Sequence, residues 1–181
     1  NSLAIVHMLF DGLTRASKEG KAELALAHKV DVSADLKQYT FHLKEALWTN
    51  GDLVKASDFA YAWKKMLSPD FPSDTVFLLY VIKNAKAAKE GKVSLDEVGI
   101  CAVDEKTLVV DLENPTPYFL ELVGSAAFFP VNQKIDQENP AWAQEASTYV
   151  GNGPFQLVSW KHQDQLVVEK NAKYWDAASV K

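Results

Sequence analysis

Tyr39-Thr40-Phe41-His42-Leu43-Lys44-Glu45-Ala46-Leu47-Trp48-Thr49-Asn50-Gly51-Asp52-Leu53-Val54-Lys55-Ala56-Ser57-Asp58-Phe59 reads as a strand, a tight turn and the start of a helix in succession. Tyr39, Phe41 and Leu43 alternate with Thr40, His42 and Lys44, the period of a strand with one buried face, so His42 points with the polar set. Trp48 to Asp52 supplies the turn, and the Ser57 hydroxyl is placed to cap a helix running to about Leu67, a contribution of roughly 1 kcal/mol. In that helix Phe59, Trp63, Met66 and Leu67 share a face, which reads as core. Lys64 and Lys65 lie near its negative C-terminal end, and Ser68-Pro69 stops it.

Outward from this stretch the same signals continue. Ser2 caps a short helix through Phe10 that Asp11-Gly12 ends; His7 lies beside its apolar face without a second ligand at helical spacing, so packing or solvent contact suits it better than a metal. A helix is expected from about Asp74 to Lys89 with Gly91 as terminator, although its Phe77, Leu78 and Tyr80 cannot all face inward. Val98 to Val103 and Thr107 to Leu112 form a hairpin around Asp104-Glu105-Lys106, and Cys101 within it reads as an inert buried thiol. Thr116 and Pro117 start a short helix to about Val123, and Asn139-Pro140 opens another carrying Trp142 and Ala146. Gly151-Asn152-Gly153-Pro154 then leads into a second hairpin, Phe155 to Trp160 and Leu166 to Lys170, around His162-Gln163-Asp164-Gln165. The glycines could cradle a ligand backbone. They are no phosphate loop, because the Lys-Ser/Thr is missing and a strand follows. The chain has no internal repeats and reads as mixed α/β structure with two hairpins.

Composition narrows the chemistry. The 181 residues are 48% apolar, which suffices for a sizeable core. The net charge of -5 is spread without blocks of one sign, which argues against nucleic acid and against a polybasic membrane anchor. Arg15 is the only arginine, so planar two-pronged clamping of phosphate is disfavoured. Cys101 stands alone and permits neither an internal disulfide nor a cysteine zinc site. No apolar run reaches the roughly eighteen residues a bilayer helix needs. Because the chain opens on Asn1 with no charged-then-apolar leader, it reads as an excised fragment. None of His7, His28, His42 and His162 has a recognisable partner motif, and Asp104-Glu105 reads as a hydrated pair in a turn. No catalytic residue, metal or cofactor is therefore expected.

Several separated segments are similar to the N-terminal part of the extracytoplasmic solute-binding proteins of the oligopeptide and dipeptide class, solute-binding protein family 5. In order they are Leu9-Phe10-Asp11-Gly12-Leu13; Leu26-Ala27; Tyr39 to Lys44; Trp48-x-x-Gly51-x-x-Val54-x-Ala56-x-Asp58-Phe59; Val103 to Leu108; Pro117-Tyr118-Phe119; Gly151-Asn152-Gly153-Pro154-Phe155; Trp160; and Asn171-x-x-Tyr174-Trp175. Each is weak alone, and their order over most of the chain carries the resemblance.

The resemblance implies a partial first lobe of the type II periplasmic-binding-protein kind with an inserted α+β subdomain: residues 1-10 and 128-181 in the lobe, 11-127 in the subdomain, and the second lobe absent. It further implies an extracytoplasmic or periplasmic protein, a lipid anchor being allowed, that captures oligopeptides between two hinged lobes and delivers them to ABC permease subunits. A monomer is favoured. Dipeptides, a nickel chelate or another small nutrient are alternative cargoes, and an extracellular hydrolase is the alternative of another class. In the oligopeptide branch an aromatic of the subdomain reaches the ligand. The matching stretch here is Thr75-Val76-Phe77-Leu78-Leu79-Tyr80, with Val76 or Phe77 at the equivalent position and no tyrosine there. The resulting candidate ligand contacts are Phe77, Tyr80 and Asn152, and exposed Trp48, Trp142, Trp160 or Trp175 would be candidate anchors for a partner if they are not core.

Overall fold

The computed structural model describes residues 2–181, which divide into two compact units: one from the start to Asp11, with Glu45–Val54 and Val131–Lys181, the other Gly12–Lys44 with Lys55–Pro130.

The second unit is built on a four-stranded antiparallel sheet. Its strands are β3 (Ala27–Val32), β4 (Gln38–Leu43), β5 (Ile100–Asp104) and β6 (Thr107–Asp111), in the order β3-β4-β6-β5, and a small hairpin of β1 (Thr14–Ala16) and β2 (Ala22–Leu24) precedes them. The register sets Tyr39 opposite Val110 and Phe41 opposite Leu108, so the alternating apolar residues of β4 share the buried face with those of β6. Helix α2 (Ala56–Leu67) packs against β5 and β6. Buried rings continue this core: Tyr39–Phe119, Phe119–Phe128 and Trp63–Phe128 have centroids 4.9, 6.1 and 5.2 Å apart in edge-on or near edge-on geometry. Trp63 is fully buried, and its Nε1 donates to the Phe128 carbonyl at 2.9 Å.

Several local expectations change in this unit. Ser57 does not cap α2. The helix starts two residues earlier than a Ser57 cap would set it, with Lys55 at the cap position, where the Asp58 carboxylate accepts from the Lys55 amide at 2.9 Å, so the acid three residues into the helix does the capping. The expected helix over Asp74–Lys89 is interrupted, because Ile82 bridges to Leu112 and the Lys83 amide donates to the Asp111 carbonyl at 2.9 Å. A 3-10 helix over Val76–Val81 precedes the break, Asn84 takes a left-handed conformation (φ 62°), and only α3 (Ala85–Lys89) is α-helical. From α3 the Lys89 ammonium donates to the Met66, Ser68 and Phe71 carbonyls at 3.1, 2.9 and 2.5 Å, closing the negative end of α2. Thr116 is no cap either. It is buried and its carbonyl accepts from the Tyr39 hydroxyl at 2.7 Å, while α4 (Phe119–Leu122) begins later. Cys101 is exposed rather than buried, since its pairing with Val109 places it on the opposite sheet face from Ile100 and Leu108.

The first unit contains α1 (Ser2–Leu9), the Trp48 turn, α5 (Gln133–Glu138) and the hairpin of β7 (Phe155–Lys161) and β8 (Gln165–Lys170). The turn is closed by the Trp48 amide on the Asp52 carbonyl at 2.8 Å and requires a positive φ of 90° at Gly51. Phe10 is its aromatic centre, with Trp48, Trp142 and Tyr149 at 6.4, 6.4 and 6.0 Å. Asn139-Pro140 ends a helix instead of starting one: α5 lies before it, capped by the Asn132 carboxamide on the Ile135 amide at 3.1 Å, and Trp142–Gln144 forms a single 3-10 turn. Trp142 donates to the buried Asp136 carboxylate at 2.9 Å, which holds that turn. Trp48 and Trp142 are core, so neither is an exposed anchor, whereas Trp160 and Trp175 are half-buried. No helix among the described residues is long and apolar enough to cross a membrane.

Candidate functional site

Three of the segments that carry the family resemblance, those containing Asp11, Asn152 and Tyr174, meet in the first unit. Helix α1 ends at Leu9, whose carbonyl accepts from the Asn152 and Gly153 amides at 3.1 and 2.9 Å. Asp11, two residues on, is held through both its backbone and its side chain. Its amide donates to Asn152 Oδ1 at 3.0 Å and its carbonyl accepts from Asn152 Nδ2 at 3.2 Å, a reciprocal pair that uses the whole carboxamide. Its carboxylate Oδ2 accepts from the Tyr174 hydroxyl at 2.7 Å and the Trp175 indole N–H at 2.9 Å. Asn171 completes the ring by donating from Nδ2 to the Gly153 carbonyl at 2.9 Å. Thr49 and Gly151 exchange bonds: the Thr49 amide donates to the Gly151 carbonyl at 2.9 Å, and the Gly151 amide donates to the Thr49 hydroxyl oxygen at 3.3 Å.

This clasp is buried and satisfied: Asp11 is 7%, Asn152 2% and Asn171 1% exposed, and among the described residues no buried side-chain nitrogen or oxygen lacks a partner. Truncating Asp11 to alanine leaves Tyr174 and Trp175 each one acceptor short. It is expected to cost about 2–3 kcal/mol in urea unfolding, with Asp11→Asn recovering at least about half because a carboxamide oxygen can still accept both bonds. Equal losses for the two variants would contradict this assignment.

The three expected ligand contacts are placed differently. Asn152 is enclosed in the clasp, with both ends of its carboxamide committed to Asp11. Phe77 and Tyr80 share the 3-10 helix of the other unit. There Val76 is buried and Phe77 is 60% exposed, so of the two positions matched to the family's aromatic it is Phe77 that presents a ring to solvent; Tyr80 is half-buried. The clasp partners Asp11 and Tyr174-Trp175 appear in the sequence motifs, but a motif does not reveal which side chains meet.

His42 Nε2 contacts Asp31 Oδ2 at 2.8 Å on the exposed sheet face, and this contact, ahead of smaller attraction from Lys29, holds the Asp31 carboxyl below its ordinary value. The ionised form is thus favoured in the fold, so the contact is present above the ordinary carboxylate pKa and lost as pH falls through the lowered one. Carboxyl NMR titration is expected to show Asp31 rising toward its ordinary value in His42→Ala. His162 lies at a hairpin tip against Trp160, with ring centroids 4.2 Å apart. Burial pushes the Tyr149 and Tyr39 hydroxyls up, so both stay neutral donors or acceptors at pH 7. Among the described residues no group of three His, Cys, Asp or Glu could hold a metal ion.

Residues 21–181 match the bacterial extracellular solute-binding proteins, family 5 Middle. The chain is 49% identical over 174 residues to the dipeptide-binding protein DppE of Bacillus subtilis (96% of this chain, 32% of that protein). It is 46% identical over 179 residues to the oligopeptide-binding protein OppA of the same organism (98% and 33%). The probable deoxycholate-binding periplasmic protein YgiS of Escherichia coli is 33% identical over 177 residues (96% and 33%). Among solved structures, Listeria monocytogenes OppA bound to peptide superposes with a TM-score of 0.94 at 37% identity, covering 99% of this chain and 36% of that one. The substrate-binding domain of an oligopeptide ABC transporter from Bacillus anthracis gives 0.93 at 41% identity, over 96% and 34%. The chain spans about a third of the length of these relatives. The mixed α/β fold expected from the resemblance is the fold found, and the family match extends over most of the sequence: the chain belongs to the bacterial extracellular solute-binding proteins, family 5.

Proposed function

We propose that the intact protein to which this chain belongs captures peptides outside the cytoplasm and hands them to the permease subunits of an ABC transporter, without chemically altering them. The carrying observation is that the two relatives matching at 49% and 46% are a dipeptide- and an oligopeptide-binding protein, well above the 33% of the deoxycholate-named relative. Recognition in such a protein rests on main-chain hydrogen bonds to an extended peptide, with side chains in hydrated pockets, which makes it tolerant of sequence.

In this reading the first unit is part of the first lobe and the second unit is the inserted subdomain. The lobe then also includes Glu45–Val54, and the crossings fall at Asp11–Gly12, Lys44–Glu45, Val54–Lys55 and Pro130–Val131. Phe77 is the subdomain side chain that meets the solute, Tyr80 supports it on the same 3-10 helix, and Asn152 acts as a positioning residue by holding Asp11.

Calorimetry of the full-length protein against a mixed di- to pentapeptide pool tests the function. Binding is expected, with Phe77→Ala weakening it by about tenfold, roughly 1.4 kcal/mol, and leaving the melting temperature unchanged. The 181-residue chain alone is expected to bind the same pool far more weakly, because a cleft ligand then loses its opposing wall. No heat and no thermal shift from any peptide would overturn the proposal.

A further inference from the structure

Asparagine precedes glycine at two places in the chain, Asn50-Gly51 and Asn152-Gly153. Such pairs are chemically weak points, because glycine carries no side chain to keep its amide nitrogen away from the carboxamide before it. Both pairs lie in the first unit, and the fold treats them oppositely.

Asn152 is 2% exposed, and both ends of its carboxamide are committed to Asp11, at 3.0 and 3.2 Å. The Gly153 amide donates to the Leu9 carbonyl at 2.9 Å, and even a methyl group at Gly153 would overlap the backbone of Met8, Leu9 and Phe10. Ring closure there requires the whole clasp to open. Asn50 and Gly51 are exposed at the tip of the Trp48 turn, where a Cβ on Gly51 would meet nothing within 4 Å. Asn50 Oδ1 accepts from the Asp52 amide at 3.0 Å, which polarises the side-chain carbonyl and stabilises an oxyanion formed on it. Its Nδ2 donates to Asp52 Oδ2 at 2.9 Å. The Gly51 amide is held by the Trp48 carbonyl at 2.9 Å, so the reaction needs that one bond of an exposed turn to open.

We propose that Asn50 is a site of spontaneous backbone modification, the fold exposing it to imide formation and hydrolysis while shielding Asn152. The Gly51 amide gives its proton to hydroxide and its nitrogen bonds to Asn50 Cγ. The Cγ–Nδ2 bond breaks, and the leaving group takes a proton from water and departs as ammonia. One water then opens the cyclic imide at either carbonyl, giving aspartate or isoaspartate, and nothing is oxidised or reduced. Either product sets a second carboxylate beside that of Asp52, which loses the Asn50 donor but keeps Asn132 Nδ2 at 3.0 Å. Isoaspartate also lengthens the main chain inside a turn closed by the Trp48 amide on the Asp52 carbonyl at 2.8 Å.

The test incubates the full-length protein in mildly alkaline buffer and follows both positions by peptide mapping, with enzymatic methylation marking isoaspartate. Conversion at Asn50 is expected to outpace that at Asn152 at least about tenfold in the folded protein, and the two rates to become comparable in urea, where only the shared Asn-Gly sequence remains. Asn50→Gln, whose longer side chain disfavours the ring, should remove the isoaspartate signal from that peptide. No conversion at Asn50 in the folded protein, a preference over Asn152 smaller than this, or the same preference in urea would overturn the proposal.

Discussion

Gly153→Ala is expected to lower the melting temperature of the chain by roughly 6–12 °C. A Cβ built at Gly153 would stand 2.5 Å from both the Leu9 carbonyl carbon and the Phe10 amide nitrogen and 2.7 Å from the Met8 carbonyl oxygen. All three are backbone atoms at the end of α1, so no rotamer change relieves the overlap; the two segments must separate. Separation stretches the bonds that the Asn152 and Gly153 amides make to the Leu9 carbonyl, now 3.1 and 2.9 Å, and disturbs the Asn152–Asp11 pair beside them. Overpacking commonly costs about 1–3 kcal/mol, and the broken bonds push this case to the upper end or beyond, which for a chain of this length is the stated shift at about 2–4 °C per kcal/mol. Gly151→Ala should behave alike, its Cβ meeting the Leu9 carbonyl oxygen. Thermal unfolding followed by near-ultraviolet circular dichroism provides the check, and a Gly153→Ala chain melting within about 2 °C of the parent would show that the close approach is not rigid.

Trp63→Ala is the second large effect, a loss of about 3–5 kcal/mol in urea unfolding. Trp63 is fully buried on the apolar face of α2 between Phe59 and Phe128, at centroid distances of 6.2 and 5.2 Å, and these rings cannot collapse far because Phe128 is also set edge-on against Phe119. The cavity therefore persists, and the Phe128 carbonyl loses its indole donor. Trp63→Phe retains an aromatic ring and should cost only about 1–2 kcal/mol, most of it the lost hydrogen bond. A Phe variant as unstable as the Ala variant would place the main contribution in that bond instead of in the packing.

Period-two and helical patterns were legible wherever one face of an element is buried by its neighbours. Tyr39, Phe41 and Leu43 announce β4, Phe59, Trp63 and Leu67 announce α2, and the two hairpins stand where their turn residues put them. The pattern was not legible where an element's conformation depends on a partner distant in the chain. Thr75 to Asn84 has helical composition, yet the pairing of Ile82 with Leu112 competes with continuing the helix and wins. The two short strands β1 and β2 and the mostly polar β3 likewise carry little apolar periodicity of their own; they are strands because β3 has β4 to pair with and because Arg15 and Glu23 meet across the first hairpin at 2.6 Å.

For the candidate site the division falls between family and geometry. The ordered motifs are enough by themselves to place the chain among solute-binding proteins, since each records a local requirement such as a turn glycine, a helix-starting acid or an alternating strand, and local requirements are written in neighbouring residues. That Asp11, Asn152 and Tyr174-Trp175 close on one another, and that Phe77 rather than Val76 faces solvent, was decided only in the folded chain. Asp11 and Tyr174 are 163 positions apart, and a hydrogen bond between them depends on the packing of everything that brings α1 to the end of the last hairpin, which no spacing in the sequence encodes.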